Sequence, residues 1–249
     1  MSAIRIQGIQ GSMGAHVLDV PVFPDSVFTL GFPEAIGPAH AAQWYGTIAP
    51  AWEEQDGGVW ESHGQAEGIL SYTQTFEPYE DYVDVRSSLT NEGDEPWDQT
   101  LAFNCFNAAG CPPVRDHECI RHYVGLDGVP RKLTELPRVF GPRPTIQLYS
   151  VEGAPRGQEI PFVANFGSTP DDLTLEGWMA IVSRDGEALV AAVSKPALFL
   201  FQNMEYSCIH SAAGFGSLEP GETGTSLTRL YFVRQSIDEW YARMTEELA

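Results

Sequence analysis

Lysine is almost missing from this chain: Lys132 and Lys195 are the only two in 249 residues, and the formal net charge is −20. So little positive charge leaves no basic footprint for phosphates, which excludes nucleic acid as a partner. It disfavours an anionic membrane surface for the same reason. No apolar run approaches the roughly 18 residues that a membrane helix needs. The first residues, MSAIRIQGIQGSMG, lack a charged segment followed by an apolar one, so no export signal is read and a cytoplasmic location is expected. The four cysteines, Cys105, Cys111, Cys119 and Cys208, form neither a CxxC pair nor a zinc-finger spacing, and reduced thiols are expected. Phosphate loops and dinucleotide fingerprints are missing, because neither GxxxxGK[ST] nor GxGxxG occurs. There is no GxSxG nucleophile elbow, and Gly214-Phe215-Gly216-Ser217 lacks the final glycine of one. HxH and HExxH are absent too, which removes the familiar zinc spacings.

What the chain does have is hydrophobic content of 43% and 11% aromatics, enough for a substantial core, so disorder is excluded. The length suits one large all-β domain, expected to span 1–249. Residues 69–110 carry the strongest pattern, reading as three successive strands joined by two turns. Val83, Val85 and Leu89 alternate with Tyr82, Asp84, Arg86 and Ser88, the period of two that marks a strand with one buried face. Asn91-Glu92-Gly93-Asp94-Glu95-Pro96 then reverses the chain.

Further strands are expected at 4–7, 17–23, 43–48, 146–151, 175–182, 188–193, 197–201 and 227–233. The segments GSMG, FPDS, GFPEAIGP and GSTPDD between them read as turns and loops. Residues 51–68 hold a Gly-Gly hairpin signal between arms bearing Trp52 and Trp60. Residues 121–130 read as a strand entering an Asp-Gly turn. Only the C-terminus is helical in pattern. Ser236-Ile237-Asp238-Glu239 forms a capping box, and Ile237, Trp240, Tyr241, Met244 and Leu248 follow at spacings of three and four, predicting a helix at about 236–248 with one docked apolar face.

Polar side chains near strand ends are the candidates for chemistry. Arg121 and Tyr123 share one face of their strand, with His122 on the other. Asn104 and Phe106 share a face opposite Cys105 and Asn107, and Cys208 and His210 point the same way. Arg121 and Asn104 are read as substrate-orienting groups able to stabilise developing negative charge, while His63, Tyr123 and His210 are read as proton carriers. Trp60 is read as a stacking surface for the apolar face of a sugar. Each has a competing structural reading: Arg121 pairing with Asp116 or Asp127, Tyr123 packing, Asn104 capping a turn. Carboxylates at Glu53, Glu54, Asp56, Glu61 and Glu67 near the two tryptophans offer a pair for glycoside hydrolysis. A run of six basic residues from Arg115 to Arg143 offers a rim for an anionic substrate.

The phrases FEPYEDYVDVRSSLTNEGDEPW and AFNCFNAAG, Arg121-His122-Tyr123 followed by Asp127-Gly128, and CIHSAAGFGSLEPGETGT with LYFV resemble those of uncharacterised bacterial β-sandwich proteins akin to the galactose-mutarotase-like supersandwich group. The resemblance implies an all-β fold, a large antiparallel sandwich with a C-terminal α-helix, and a carbohydrate ligand. The group's His-to-Glu acid–base arrangement finds no residue-by-residue match. The expected function is a carbohydrate-active lyase, hydrolase or isomerase acting on a small sugar or sugar acid in a concave sheet-face pocket, with no cofactor. The alternatives are a noncatalytic sugar-binding or assembly module and, third, a metal-dependent cupin-like enzyme holding a divalent ion. Sequence says nothing of the number of subunits.

Overall fold

The computed structural model describes residues 4–138, 145–162, 167–168 and 173–249. Most of the expected GSTPDD turn, and Arg143 of the basic run, lie outside the described residues. Alternating apolar residues build two large sheets whose inner faces bury each other. The first runs, by neighbours, Arg5–Gly8, Gly14–Leu18, Phe28–Pro38, Thr100–Asn107, Cys208–Gly214, Ala197–Asn203, Ile146–Val151 and Gly167–Ser168. The second runs Val129–Lys132, His122–Leu126, Trp178–Val182, Leu189–Lys195, Thr223–Val233, Tyr82–Asn91, Leu70–Pro78, Trp60–Ala66 and Ala51–Glu54. Neighbouring long strands are antiparallel throughout. The exceptions are the two-residue strands Gly167–Ser168 and Thr174–Leu175, which pair parallel to Ile146–Val151.

Between the sheets, Phe28, Phe106 and Phe232 meet with centroid distances of 5.0 to 5.5 Å. They sit among Val83, Val85, Val190, Ile209 and Leu230, all fully buried. This is the core that the alternation around Val83 and Val85 anticipates, and the all-β sandwich is as expected. Asp84 departs from the pattern. It stands on the outer face yet is 1% exposed, because Arg229 donates to both of its carboxylate oxygens at 2.6 and 2.9 Å.

The three-strand reading of 69–110 holds, with Leu70–Pro78, Tyr82–Asn91 and Thr100–Asn107. The third strand leaves its predecessors and becomes a central strand of the other sheet. The hairpin at 51–68 is present and brings Trp52 and Trp60 to a centroid distance of 6.5 Å. Asp127 and Gly128 turn with positive φ, as the Asp-Gly reading requires.

One long strand differs from expectation. Phe28–Pro38 runs through Gly31-Phe32-Pro33-Glu34, which the sequence presents as a turn. The ladder with Thr100–Asn107 skips register between Gly31 and Ala35, so this segment is a bulge inside a strand rather than a break in it.

The helix Ile237–Glu247 carries its capping box, with Ser236 Oγ accepting from the Glu239 amide and the Glu239 carboxylate accepting from the Ser236 amide. Trp240 and Met244 bury themselves against Trp178, Ala191 and Tyr231 on the outer face of the second sheet. Ser236→Ala is expected to cost about 1 kcal/mol, read as a lower urea midpoint at unchanged slope. A midpoint that does not move would show that docking alone holds the helix.

Candidate functional site

The outer face of the first sheet carries the site. Antiparallel pairing sets Cys208 across from Asn107 and Ala213 across from Ala102, and the same register between those pairs places His210 across from Cys105. Side chains of alternate residues therefore rise on one face: Phe103, Cys105 and Asn107 from one strand, Cys208 and His210 from the next. Phe201 and Asn203 join them from the third strand. Glu34, from the bulge, leans over the edge. Trp44 and Tyr206 stand at the rim, 36% and 56% exposed. Together these residues line a cavity of about 340 Å³.

His210 is held on every side. Its ring stacks on Phe103 at 5.0 Å and 6°, and Phe201 meets it edge to face at 4.9 Å. Nδ1 lies 3.3 Å from the Phe201 carbonyl, which fixes the proton there, and Nε2 lies 4.0 Å from Glu34 Oε2. Glu34 has room because residue 31 is glycine: a Cβ there would stand 2.7 Å from Glu34 Cγ and 3.4 Å from Cys105 Cβ.

Burial pushes the Glu34 carboxyl above its usual range, only partly opposed by His210. Burial disfavours the His210 imidazolium, but Cys208 and Glu34 outweigh it and its pKa rises. A hydrogen bond from Cys105 and the neighbouring imidazole favour a thiolate at Cys208, and Cys105 is pushed up correspondingly. One anion fits this spot readily, and two do not.

The residues singled out from sequence do not converge. His210 lies in the pocket. Asn104 points the other way, into the space between the sheets, where its amide donates to Thr228 Oγ1 of the second sheet at 3.3 Å. The functional face of that strand is the one bearing Cys105 and Asn107. Arg121 spends its guanidinium on the carbonyls of Pro113, Arg115 and Val182 at 2.5 to 3.1 Å. It also lies 3.9 Å from Asp116, one of its two expected partners.

Tyr123 is half-buried beside the Trp178–Trp240 cluster under the helix, with Lys132 over its ring at 5.9 Å. His63 is exposed on the second sheet, 3.2 Å from Thr73 Oγ1 and 3.5 Å from Glu61. Trp60 packs on Trp52 in that same sheet. Apart from His210, none of the cavity's lining residues among those described is basic, so the described members of the basic run do not form its rim. All four cysteines are buried and free. Among the described residues no helix is long and apolar enough to cross a membrane.

These features define an all-β, two-sheet sandwich with a small polar and aromatic pocket on one outer sheet face. The sandwich is similar to part of the α-N-acetylgalactosaminidase NagBb from Bifidobacterium bifidum, solved with GalNAc, at 12% identity and a TM-score of 0.54. The match covers 99% of this chain and 38% of that one, so the chain spans well under half of that protein. A galactose mutarotase-like protein from Lactobacillus casei is also similar, at 9% identity and a TM-score of 0.48, with 92% of this chain and 100% of that one covered. So is a galactose mutarotase related enzyme from Lactobacillus acidophilus, at 9% and 0.46, with 94% and 98% covered. Structures of the group anticipated from sequence thus stand among the similar ones, and at these identities the likeness is one of fold. No family model and no curated protein matches the chain.

Proposed function

We propose that the pocket takes a small carbohydrate and that Glu34, with His210 beside it, moves a proton on the bound sugar, an isomerase-type reaction. The observation that carries this reading is the pairing of rim and floor. Trp44, one face of which stacks on Phe162 at 5.3 Å, and Tyr206 leave exposed ring surface for the C–H side of a sugar, and a carboxyl and an imidazole 4.0 Å apart line the same cavity. Asn107 and Asn203 each use their side-chain oxygen on a local backbone amide, leaving both NH2 groups at the wall for hydroxyls. A cavity of about 340 Å³ suits a monosaccharide better than a polymer. Among the described residues, Glu34 is the only carboxylate lining it. Hydrolysis by paired carboxylates, which stand about 5 to 9.5 Å apart, lacks its second group there, which favours proton transfer over hydrolysis. The fold shared with a protein solved with GalNAc supports a sugar ligand.

Ligand-observed NMR against neutral, N-acetylated and acidic monosaccharides tests this reading, with magnetisation exchange between anomers as the readout of turnover. Trp44→Ala is expected to weaken binding of the preferred sugar about 2- to 12-fold, the worth of one aromatic contact. Binding without exchange would assign a sugar-binding module instead, and no binding by any sugar would end both readings.

A further inference from the structure

Cys105, Cys208 and His210 present donor atoms that all lie within 4.8 Å of one another, and all three residues are buried. We infer that these three side chains form a site for a thiophilic divalent cation of the zinc class, with Glu34 facing its fourth position. Two thiolates and an imidazole are the donor set that borderline and soft ions prefer. In a tetrahedral zinc site with Zn–S near 2.3 Å, sulfurs stand about 3.8 Å apart, a contraction of the present cluster that side-chain torsions can supply.

The imidazole is already arranged as a ligand. Nδ1 is tied to the Phe201 carbonyl, leaving Nε2 on the side of Glu34, and such an outer hydrogen bond commonly fixes the ligating tautomer of a metal-bound histidine. The stacked Phe103 and crossing Phe201 rings hold the ring plane. A cation also resolves the crowding of two thiols and a carboxyl around a single imidazole. On binding, two protons leave to solvent, one from Cys105 and one shared between Cys208 and His210, as two sulfur–metal bonds and one nitrogen–metal bond form.

The site draws on strands that the sequence keeps a hundred residues apart, which is why no metal spacing is visible along the chain. The site shares His210 and Glu34 with the proposed sugar pocket, but its readout does not involve a carbohydrate.

The test uses untagged full-length protein, stripped of metal and kept with a non-thiol reductant, titrated with Co²⁺ and then Zn²⁺. One equivalent of Co²⁺ is expected to give thiolate charge-transfer absorption and the intense visible bands of a tetrahedral centre, both abolished by one equivalent of Zn²⁺. Cys208→Ser and His210→Gln are each expected to weaken binding by more than the roughly 10- to 100-fold that loss of an outer partner brings. Cys111→Ser, in the inter-sheet core, is expected to retain both signals. Parent protein that gives no stoichiometric bands overturns the proposal, and needs no variant to fold. Bands that persist in Cys208→Ser place the ion elsewhere and overturn it equally. Sugar binding is read separately by NMR on the stripped protein, so either proposal can fail alone.

Discussion

An Asp116→Ala protein is expected to lose about 3–5 kcal/mol of unfolding free energy near pH 6, the effect of stripping one partner from a buried ion pair. Asp116 is 5% exposed, and His122, whose Nδ1 lies 2.9 Å from its Oδ2, is fully buried. The same oxygen accepts the Arg121 amide at 2.7 Å. Burial alone would raise the Asp116 pKa, but the bonds from His122 and Arg121 prevail and hold it below the usual carboxylate range. Burial likewise opposes the His122 imidazolium, and Cys119 and Asp116 together outweigh it, raising the pKa to about 10.

The signs set a pH window. The depressed aspartate contributes stability that is complete above its unfolded pKa near 3.9 and is lost as pH falls through the folded value. The raised histidine contributes stability that is complete below about 6.5 and is lost as pH climbs through the folded value. The gap between parent and variant in urea melts should therefore be widest between roughly pH 4 and 6.5 and narrow on both sides. A gap under about 1 kcal/mol at pH 6 would mean that the buried imidazole is neutral and Asp116 dispensable.

The second large effect is on turnover. Glu34→Gln is expected to slow anomeric exchange of the pocket's sugar about 10²- to 10⁴-fold, the usual worth of a positioned acid–base group. The urea midpoint should stay close to that of the parent, because the Glu34 side chain is 37% exposed at a bulge and its nearest charged partner, His210, is 4.0 Å away. The amide keeps the shape and hydrogen-bonding reach of the carboxylate while removing its proton transfer. Retained binding with lost exchange is the expected signature. Unchanged exchange would remove Glu34 from the chemistry.

Features decided within a few residues are legible in the sequence. The capping box at Ser236, the Asp127-Gly128 turn, the Trp52–Trp60 hairpin and the alternation at Val83 each rest on local backbone preference or a short period. The site was legible only in halves. Cys208 and His210 were seen to share a face, and Cys105 and Asn107 another, but the pairing of those two strands depends on contacts that span the chain.

The Asn104 amide reads as functional in isolation, yet Thr228, 124 residues away in sequence, claims it. Pairing of Arg121 with Asp116 is one of its two structural readings from sequence, but the main-chain carbonyls that hold the rest of its guanidinium leave no trace there. Glu34 is hidden for a different reason: glycine and proline punctuate chains so reliably that Gly31-Phe32-Pro33 masks a strand that bulges without ending. A carboxylate inside such a Gly-x-Pro segment of a strand is the signal that finds it.

The move of Thr100–Asn107 into the sheet opposite its predecessors also has a consequence for biosynthesis. A nascent chain makes this strand early, yet one of its two flanking partners, Cys208–Gly214, emerges only after a further hundred residues have been translated. Until then Cys105 is a solitary thiol beside an unfinished ladder, and the late-arriving strand brings its sulfur and imidazole neighbours in a single step. Pairing of Cys208–Gly214 with Thr100–Asn107 should thus coincide with the burial of both Cys105 and Cys208 against alkylation and with the birth of the pocket.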